Sequence, residues 1–122
     1  MTFQRTFRFS SANIAALKKE LRKKHPRIGS SHADEALAAS FGFKSHAAML
    51  ALLRQAGDSA RLMIALDYYL LAIRLKEIGY PDIGVPDLAR FVWKSELPVT
   101  PYDEATEQAV KMIRVPSAAN SS

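Results

Sequence analysis

The chain has 122 residues and no cysteine, which excludes disulfide bonds, thiolate metal sites and cysteine nucleophiles. It also lacks a glycine-rich phosphate loop, a nucleophile elbow and any paired acidic motif. Its longest apolar run, residues 62–73, is interrupted by Asp67 and is shorter than the roughly 20 residues of a membrane span. The first ten residues lack the apolar stretch of a secretion signal. We therefore expect a cytoplasmic, non-enzymatic protein with no cofactor and no small-molecule substrate.

The titratable residues do not form a metal or catalytic pattern. His25, His32 and His46 show no ligand spacing such as i,i+4 on one helix, so we expect no metal site. Asp67 is the one acid within the long apolar run, and a buried carboxylate is costly unless it is paired. We interpret it as a residue that fixes helix packing or faces solvent beside Arg74, in preference to a catalytic group.

The composition is that of one folded domain with an uneven charge. Hydrophobic residues make up 48% and charged residues 24% of the chain, as in a globular protein. We expect a single domain over residues 1–115 and a disordered tail over 116–122. Residues 1–61 hold eleven Lys and Arg against four Asp and Glu, for +7, whereas residues 62–122 hold six against eight, for −2. A basic N-terminal half indicates a surface that faces a polyanion.

Capping residues and apolar spacing predict three helices in the first half. Their expected bounds are Ser10 or Ser11 to just before Pro26, Ser31 to about Gly42, and Ser45 to about Gln55. Ser31 is expected to start the second helix because residues 31–34 fit a capping box.

The second half is predicted to supply the core. A fourth helix over about 59–78 ends at Gly79 and is apolar on nearly all sides, which is typical of a central helix covered by other helices or by a second copy of the chain. Pro86 suits the first turn of a fifth helix, and a sixth is expected from residue 100 to about 114.

We therefore predict an all-α fold, a compact bundle of five to six helices around the central apolar helix. Residues 2–9 are either a short N-terminal β-strand or a flexible arm, with Phe3, Phe7 and Phe9 on one side and Arg5 as the exception. A strand needs a partner, and residues 83–85 and 97–100 are the other extended candidates.

Residues 18–27 carry the densest charge, six basic residues in ten. On the first helix these side chains lie opposite the apolar stripe, so they can neutralise phosphates or bind an acidic protein surface, or simply be solvated.

Residues 34–54 resemble a DNA-binding helix-turn-helix, with a small residue in the first helix and Gly42 in the turn. The second helix fits less well. Ala48 and Ala51 stand where larger anchoring residues are expected, and Met49 and Leu50 would lie toward the DNA. A purely structural helical hairpin is the alternative.

The same segment resembles a short motif in small accessory proteins carried by plasmids and integrative elements, and a helical segment of proteins related to the glyoxalase superfamily. The residues that carry this resemblance cover about 25 positions, and they are Ser31, His32, Glu35, Ala36, Ala38, Gly42, Phe43, Ser45, Ala47 and Ala48. It implies a mobile-genetic-element setting, in which accessory proteins regulate transcription, handle DNA or block CRISPR–Cas defence. It does not imply glyoxalase activity.

We therefore expect a binding protein that acts on nucleic acid or on a nucleoprotein complex through a basic N-terminal surface. An anti-CRISPR-type inhibitor that works by protein–protein contacts is one alternative, and a structural homodimer or adaptor is another. The expected contact residues are Arg5, Arg8, Lys18, Lys19, Arg22, Lys23, Lys24, Arg27, Lys44, Ser45, His46 and Arg54.

Overall fold

The computed structural model describes residues 4–56 and 62–98, together with the backbone of 111–112. Within these ranges the chain is mostly helical and has a short sheet. In order, the elements are β1 (Gln4–Arg8), α1 (Ser11–Lys24), α2 (Ser30–Ser40), α3 (His46–Ala56), β2 (Leu62–Asp67), α4 (Tyr68–Glu77), α5 (Val85–Lys94) and β3 (Lys111–Met112). The all-α prediction is therefore wrong in its strict form, while the N-terminal strand is confirmed.

The sheet has the order β1-β2-β3. β1 and β2 are antiparallel, with Gln4 opposite Asp67 and Arg8 opposite Met63. β3 pairs parallel with the start of β2. The partner of β1 is thus residues 62–67, not the two extended segments expected from the sequence. Residues 111–112 are extended, which contradicts the predicted sixth helix there; the rest of that helix and the tail 116–122 lie outside the described residues.

The predicted central helix over 59–78 is wrong, because residues 62–67 form β2 and the helix begins only at Tyr68. A short apolar run fits a buried strand and a buried helix equally well until a pairing partner is known. Here β1 supplies that partner. Ile64 and Leu66 alternate into the core, and Met63 next to them is also buried.

Asp67 lies at the junction between β2 and α4. Its carboxylate accepts hydrogen bonds from the backbone N–H groups of Tyr69 at 2.9 Å and Leu70 at 3.2 Å, so it is the N-cap of α4. Asp67 therefore lies at the start of a helix, not inside the long central helix expected from the sequence.

The helix at the centre of the fold is α2, which contacts α1, α3, α4 and β2. Ala33, Ala36 and Ala38 are fully buried, and their small side chains let the neighbouring helices approach closely. The N-cap of α2 is Gly29 and not Ser31. Because glycine has no side chain to accept a hydrogen bond, the expected capping box is not formed. Gly42, at a φ of 94°, reverses the chain after this helix in a conformation that favours glycine.

The remaining helix predictions hold. Ser10 caps α1, and Ser45 Oγ accepts from the Ala48 N–H at the start of α3. Pro86 lies in the first turn of α5, which buries Leu88, Phe91 and Val92. Within the part of the chain that the structure describes, none of the helices combines the length and apolar character needed to cross a bilayer.

Candidate nucleic-acid interface

The last turn of α1 carries Arg22, Lys23 and Lys24. The carbonyl end of a helix has a partial negative charge, which stabilises cations placed there and offsets part of their mutual repulsion. The basic segment is thus compatible with the helix that carries it, and the helix fixes the direction in which the charges point.

Several of the predicted contact residues bind other parts of the protein. Lys18 Nζ lies 3.0 Å from Asp34 on α2. Arg22 Nε donates to the Ile28 carbonyl at 3.0 Å, closing the turn after α1. Arg27 makes two hydrogen bonds, of 2.9 and 2.7 Å, to the carboxylate of Asp82. These three side chains hold α1 and the following turn against the rest of the fold.

Two further predicted contact residues lie on β1 and also have structural roles. Arg8 is only 7% exposed, so its guanidinium cannot reach a phosphate in the described fold. Its carbonyl accepts from Asn13 Nδ2 at 2.9 Å, which joins β1 to the first turn of α1. Arg5 donates to the carbonyl oxygens of Val92 and Ser95 at the end of α5.

The predicted basic residues that are exposed and have no structural role described above fall in two places. Lys19, Lys23 and Lys24 lie on α1, whereas Lys44 and Arg54 lie at the two ends of the third helix. The structure therefore does not bring all the predicted contact residues together, and each group offers a separate candidate surface.

The α1 group continues onto α5. Lys24, His25, Asp87, Arg90 and Lys94 line an open cavity of about 430 Å³ between the two helices. Asp87, the one acid, forms an ion pair with Arg90 one turn away. We call Lys23, Lys24, His25, Arg90 and Lys94 the α1–α5 basic surface. A concave site in which positive charges outnumber negative ones concentrates a positive electrostatic potential and attracts anions.

Arg90 and Lys94 were missed by sequence reasoning because they belong to the half of the chain with a net negative charge. A signal was present, since the two residues are four apart on a helix and thus on one face. Only the packing of α5 against α1 shows that this face adjoins the end of the basic segment.

Trp93 extends the exposed face of α5 beside Arg90 and Lys94. The indole is 49% exposed, because Trp93 lies outside the stripe of Leu88, Phe91 and Val92 that α5 packs on the core. The Arg5 guanidinium carbon lies 5.9 Å from the indole centre and 4.8 Å from the Phe7 ring centre. Arg5 thus connects the core of the sheet with an aromatic side chain that is open to solvent.

The α2–α3 hairpin differs from the predicted helix-turn-helix in the face that α3 exposes. Met49 is buried, contrary to its expected position toward DNA, and Ala48 and Ala51 are exposed instead of anchoring the helix. Alanine cannot donate or accept hydrogen bonds with base edges. The middle of α3 therefore offers little for sequence readout.

The motif residues of the hairpin have structural partners. The Glu35 carboxylate accepts from the backbone N–H of His46 at 3.3 Å, and Ser45 caps the same helix. The His46 ring lies 3.9 Å from the Asp34 carboxylate. Phe43 is buried, with its ring centre 6.1 Å from that of Phe9. These interactions are those of a helical hairpin fixed to the core.

Tyr80 fixes the turn that precedes α2. Its hydroxyl accepts from the Gly29 N–H at 3.3 Å, donates to the Arg27 carbonyl at 3.3 Å and lies 2.8 Å from His32 Nδ1.

Hydrogen bonds from the Arg27 guanidinium hold the pKa of Asp82 below its usual range.

Within residues 4–56 and 62–98, no group of three or more histidine or acidic side chains is placed to hold a metal ion.

Comparison with family models, curated proteins and solved structures finds no match for this chain. The resemblance to accessory proteins of mobile elements therefore stays a prediction, and a functional proposal has to come from the site itself.

Proposed function

We propose that this protein acts by binding nucleic acid through the α1–α5 basic surface, and we assign no residue a catalytic role. The observation that carries the proposal is the cavity shared by Lys24, His25, Arg90 and Lys94, which come from two helices far apart in the sequence. Bringing cations together costs electrostatic energy, and a bound polyanion recovers it by neutralising them.

Chain regions of opposite overall charge contribute to this surface. Lys24 comes from the basic half, whereas Arg90 and Lys94 come from the acidic half, in which Asp87 is the acid nearest to them in the cavity. Because the Asp87 carboxylate is paired with Arg90, it neutralises the charge of that cation. The positive charges of Lys24 on α1 and Lys94 on α5 are not neutralised by this pair.

The test is fluorescence anisotropy with labelled oligonucleotides, single-stranded and duplex, at several salt concentrations. We expect affinity to fall steeply with salt because binding releases condensed counterions. The variant Lys24→Glu/Lys94→Glu should lower affinity by about tenfold or more. It should also reduce the log–log salt slope by about one for each phosphate that the variant no longer neutralises.

The matched control is Lys44→Glu/Arg54→Glu, which changes net charge by the same amount at the ends of α3. We expect it to change affinity much less. If this control abolishes binding while Lys24→Glu/Lys94→Glu does not, the hairpin is the interface and the proposed surface is wrong. Circular dichroism of each variant checks that the helices are intact.

The alternative of an inhibitor that binds a nucleoprotein complex predicts a different result in the same assay. Such a protein would show little affinity for free DNA or RNA, and its partner would be recovered from a host lysate after nuclease treatment. Absence of oligonucleotide binding at low salt would therefore overturn the proposed function and favour the protein–protein alternative.

The homodimer alternative depended on a long helix that is apolar all round. β2 and α4 divide that segment, and Met63, Ile64, Leu66 and Leu71 are buried within the chain. Tyr69 and Ile73, 49% and 42% exposed, are the large apolar side chains that α4 leaves open. This is a much smaller apolar face than the sequence indicated.

A further inference from the structure

We infer that the preferred ligand of the α1–α5 basic surface is single-stranded nucleic acid, with Trp93 as the platform on which an unpaired base stacks. This inference rests on the proposed function, because it names the kind of nucleic acid that the same surface takes. It depends on a separate observation, the exposed indole beside the cations of α5.

Trp93 shares the outer side of α5 with two cations. It is three residues after Arg90 and adjacent to Lys94, and all three side chains are exposed. A ligand phosphate bound by Lys94 would place the neighbouring nucleotide next to the indole. Proteins that bind single strands combine a cationic track for the phosphates with aromatic side chains for the bases.

The exposure of this ring carries a cost for the free protein. An indole buries a large apolar area when it packs, and α5 already buries Leu88, Phe91 and Val92 against the core. Trp93 lies outside that stripe and is half-exposed. Stacking of a base covers apolar ring surface that the fold itself leaves in water, which gives the ligand a gain independent of charge.

Arg5 holds the indole in place. Its hydrogen bonds to the carbonyl oxygens of Val92 and Ser95 fix the guanidinium, which lies 5.9 Å from the indole centre. A cation over an aromatic face is attracted by the ring electrons. This contact restricts the orientations of the indole before the ligand arrives, which lowers the entropic cost of stacking.

An exposed indole distinguishes a single strand from a duplex. In a duplex each base is already stacked between its neighbours, so the ring has no free base face to cover except at an end or a flipped base. Reading a duplex from the major groove needs polar side chains on an inserted helix. The exposed middle of α3 has Ala48 and Ala51 at such positions.

The chain offers a direct readout, because Trp93 is its single tryptophan. Fluorescence excited at a wavelength that the four tyrosines do not absorb therefore reports on this ring alone. We expect oligothymidine to quench it on binding. An abasic oligomer with the same number of phosphates should bind more weakly and leave the emission almost unchanged, since it has charge but no base to stack.

The variant Trp93→Ala tests the platform by anisotropy. We expect it to lower affinity for oligothymidine by about 5- to 100-fold while leaving the affinity for the abasic oligomer and the salt slope unchanged. Trp93→Phe, which keeps an aromatic face, should recover part of the loss. The matched control is Tyr69→Ala, which removes an equally exposed aromatic side chain from a different helix, α4, and should have no effect.

Three outcomes separate this inference from the proposed function. Quenching by oligothymidine, with weaker binding in Trp93→Ala and partial recovery in Trp93→Phe, supports both. Salt-dependent binding of duplex as tight as that of single strands, with no quenching and no effect of Trp93→Ala, overturns the single-strand inference and leaves the basic surface in place. Absence of binding to every oligonucleotide overturns the proposed function itself.

Discussion

The Arg5 guanidinium lies over the Trp93 indole at 5.9 Å and donates hydrogen bonds to the carbonyl oxygens of Val92 and Ser95, which flank it in the chain. The first strand of the protein thereby fixes the end of the last described helix. The sequence separation of about 90 residues makes this interaction part of the tertiary fold, not of local structure.

We expect Arg5→Lys to lower the free energy of unfolding by about 1–3 kcal/mol, because a lysine keeps the charge but cannot reproduce the two-carbonyl geometry of the guanidinium. Urea unfolding monitored by circular dichroism measures the loss. The tryptophan emission maximum of the folded variant should also shift, since the cation above the ring moves. Arg54→Lys, an exposed exchange on α3, is the control and should stay within about 0.5 kcal/mol of the parent.

The two acceptors at the start of α3 form the second prediction. We expect Glu35→Ala and Ser45→Ala each to cost about 0.5–2 kcal/mol, because each removes an acceptor for a backbone N–H in the first turn. Glu35→Gln keeps an acceptor oxygen and should be destabilised less. Thermal unfolding of the four proteins provides the comparison. Equal destabilisation in Glu35→Ala and Glu35→Gln would show that the carboxylate acts through its charge and not as a cap.

The third prediction concerns pH and the Arg27–Asp82 ion pair. Hydrogen bonds from Arg27 lower the pKa of Asp82 in the folded state. The pair therefore stabilises the fold above the unfolded-state pKa of about 4, and this contribution is lost as the pH falls through the lower folded-state value. We expect Asp82→Asn to be less stable than the parent at neutral pH and equally stable in strong acid.

Urea unfolding at a series of pH values measures this difference. Arg27→Gln should give the same pH profile as Asp82→Asn, because either change removes the interaction that lowers the pKa. A stability difference that does not depend on pH would contradict the assignment. Because both side chains are exposed, the effect should also weaken with added salt.

Much of the helical structure could be predicted from local signals. Ser10 and Ser45 are caps, Pro86 opens a helix and Gly42 reverses the chain, and each of these depends on chemistry within a few residues. Residues 62–67 show the limit. Their apolar run is compatible with either state, and pairing with β1 across more than 50 residues decided for a strand.

The candidate site shows the same division. The sequence by itself determined that the end of α1 is strongly basic and that cysteine chemistry is excluded. It could not show that Arg8 is buried or that Arg27 is paired with Asp82. Burial and ion pairing depend on which distant elements pack together. Tertiary structure alone placed Lys24 opposite Arg90 and Lys94 and positioned Arg5 over Trp93, because those interactions join residues that no local pattern relates.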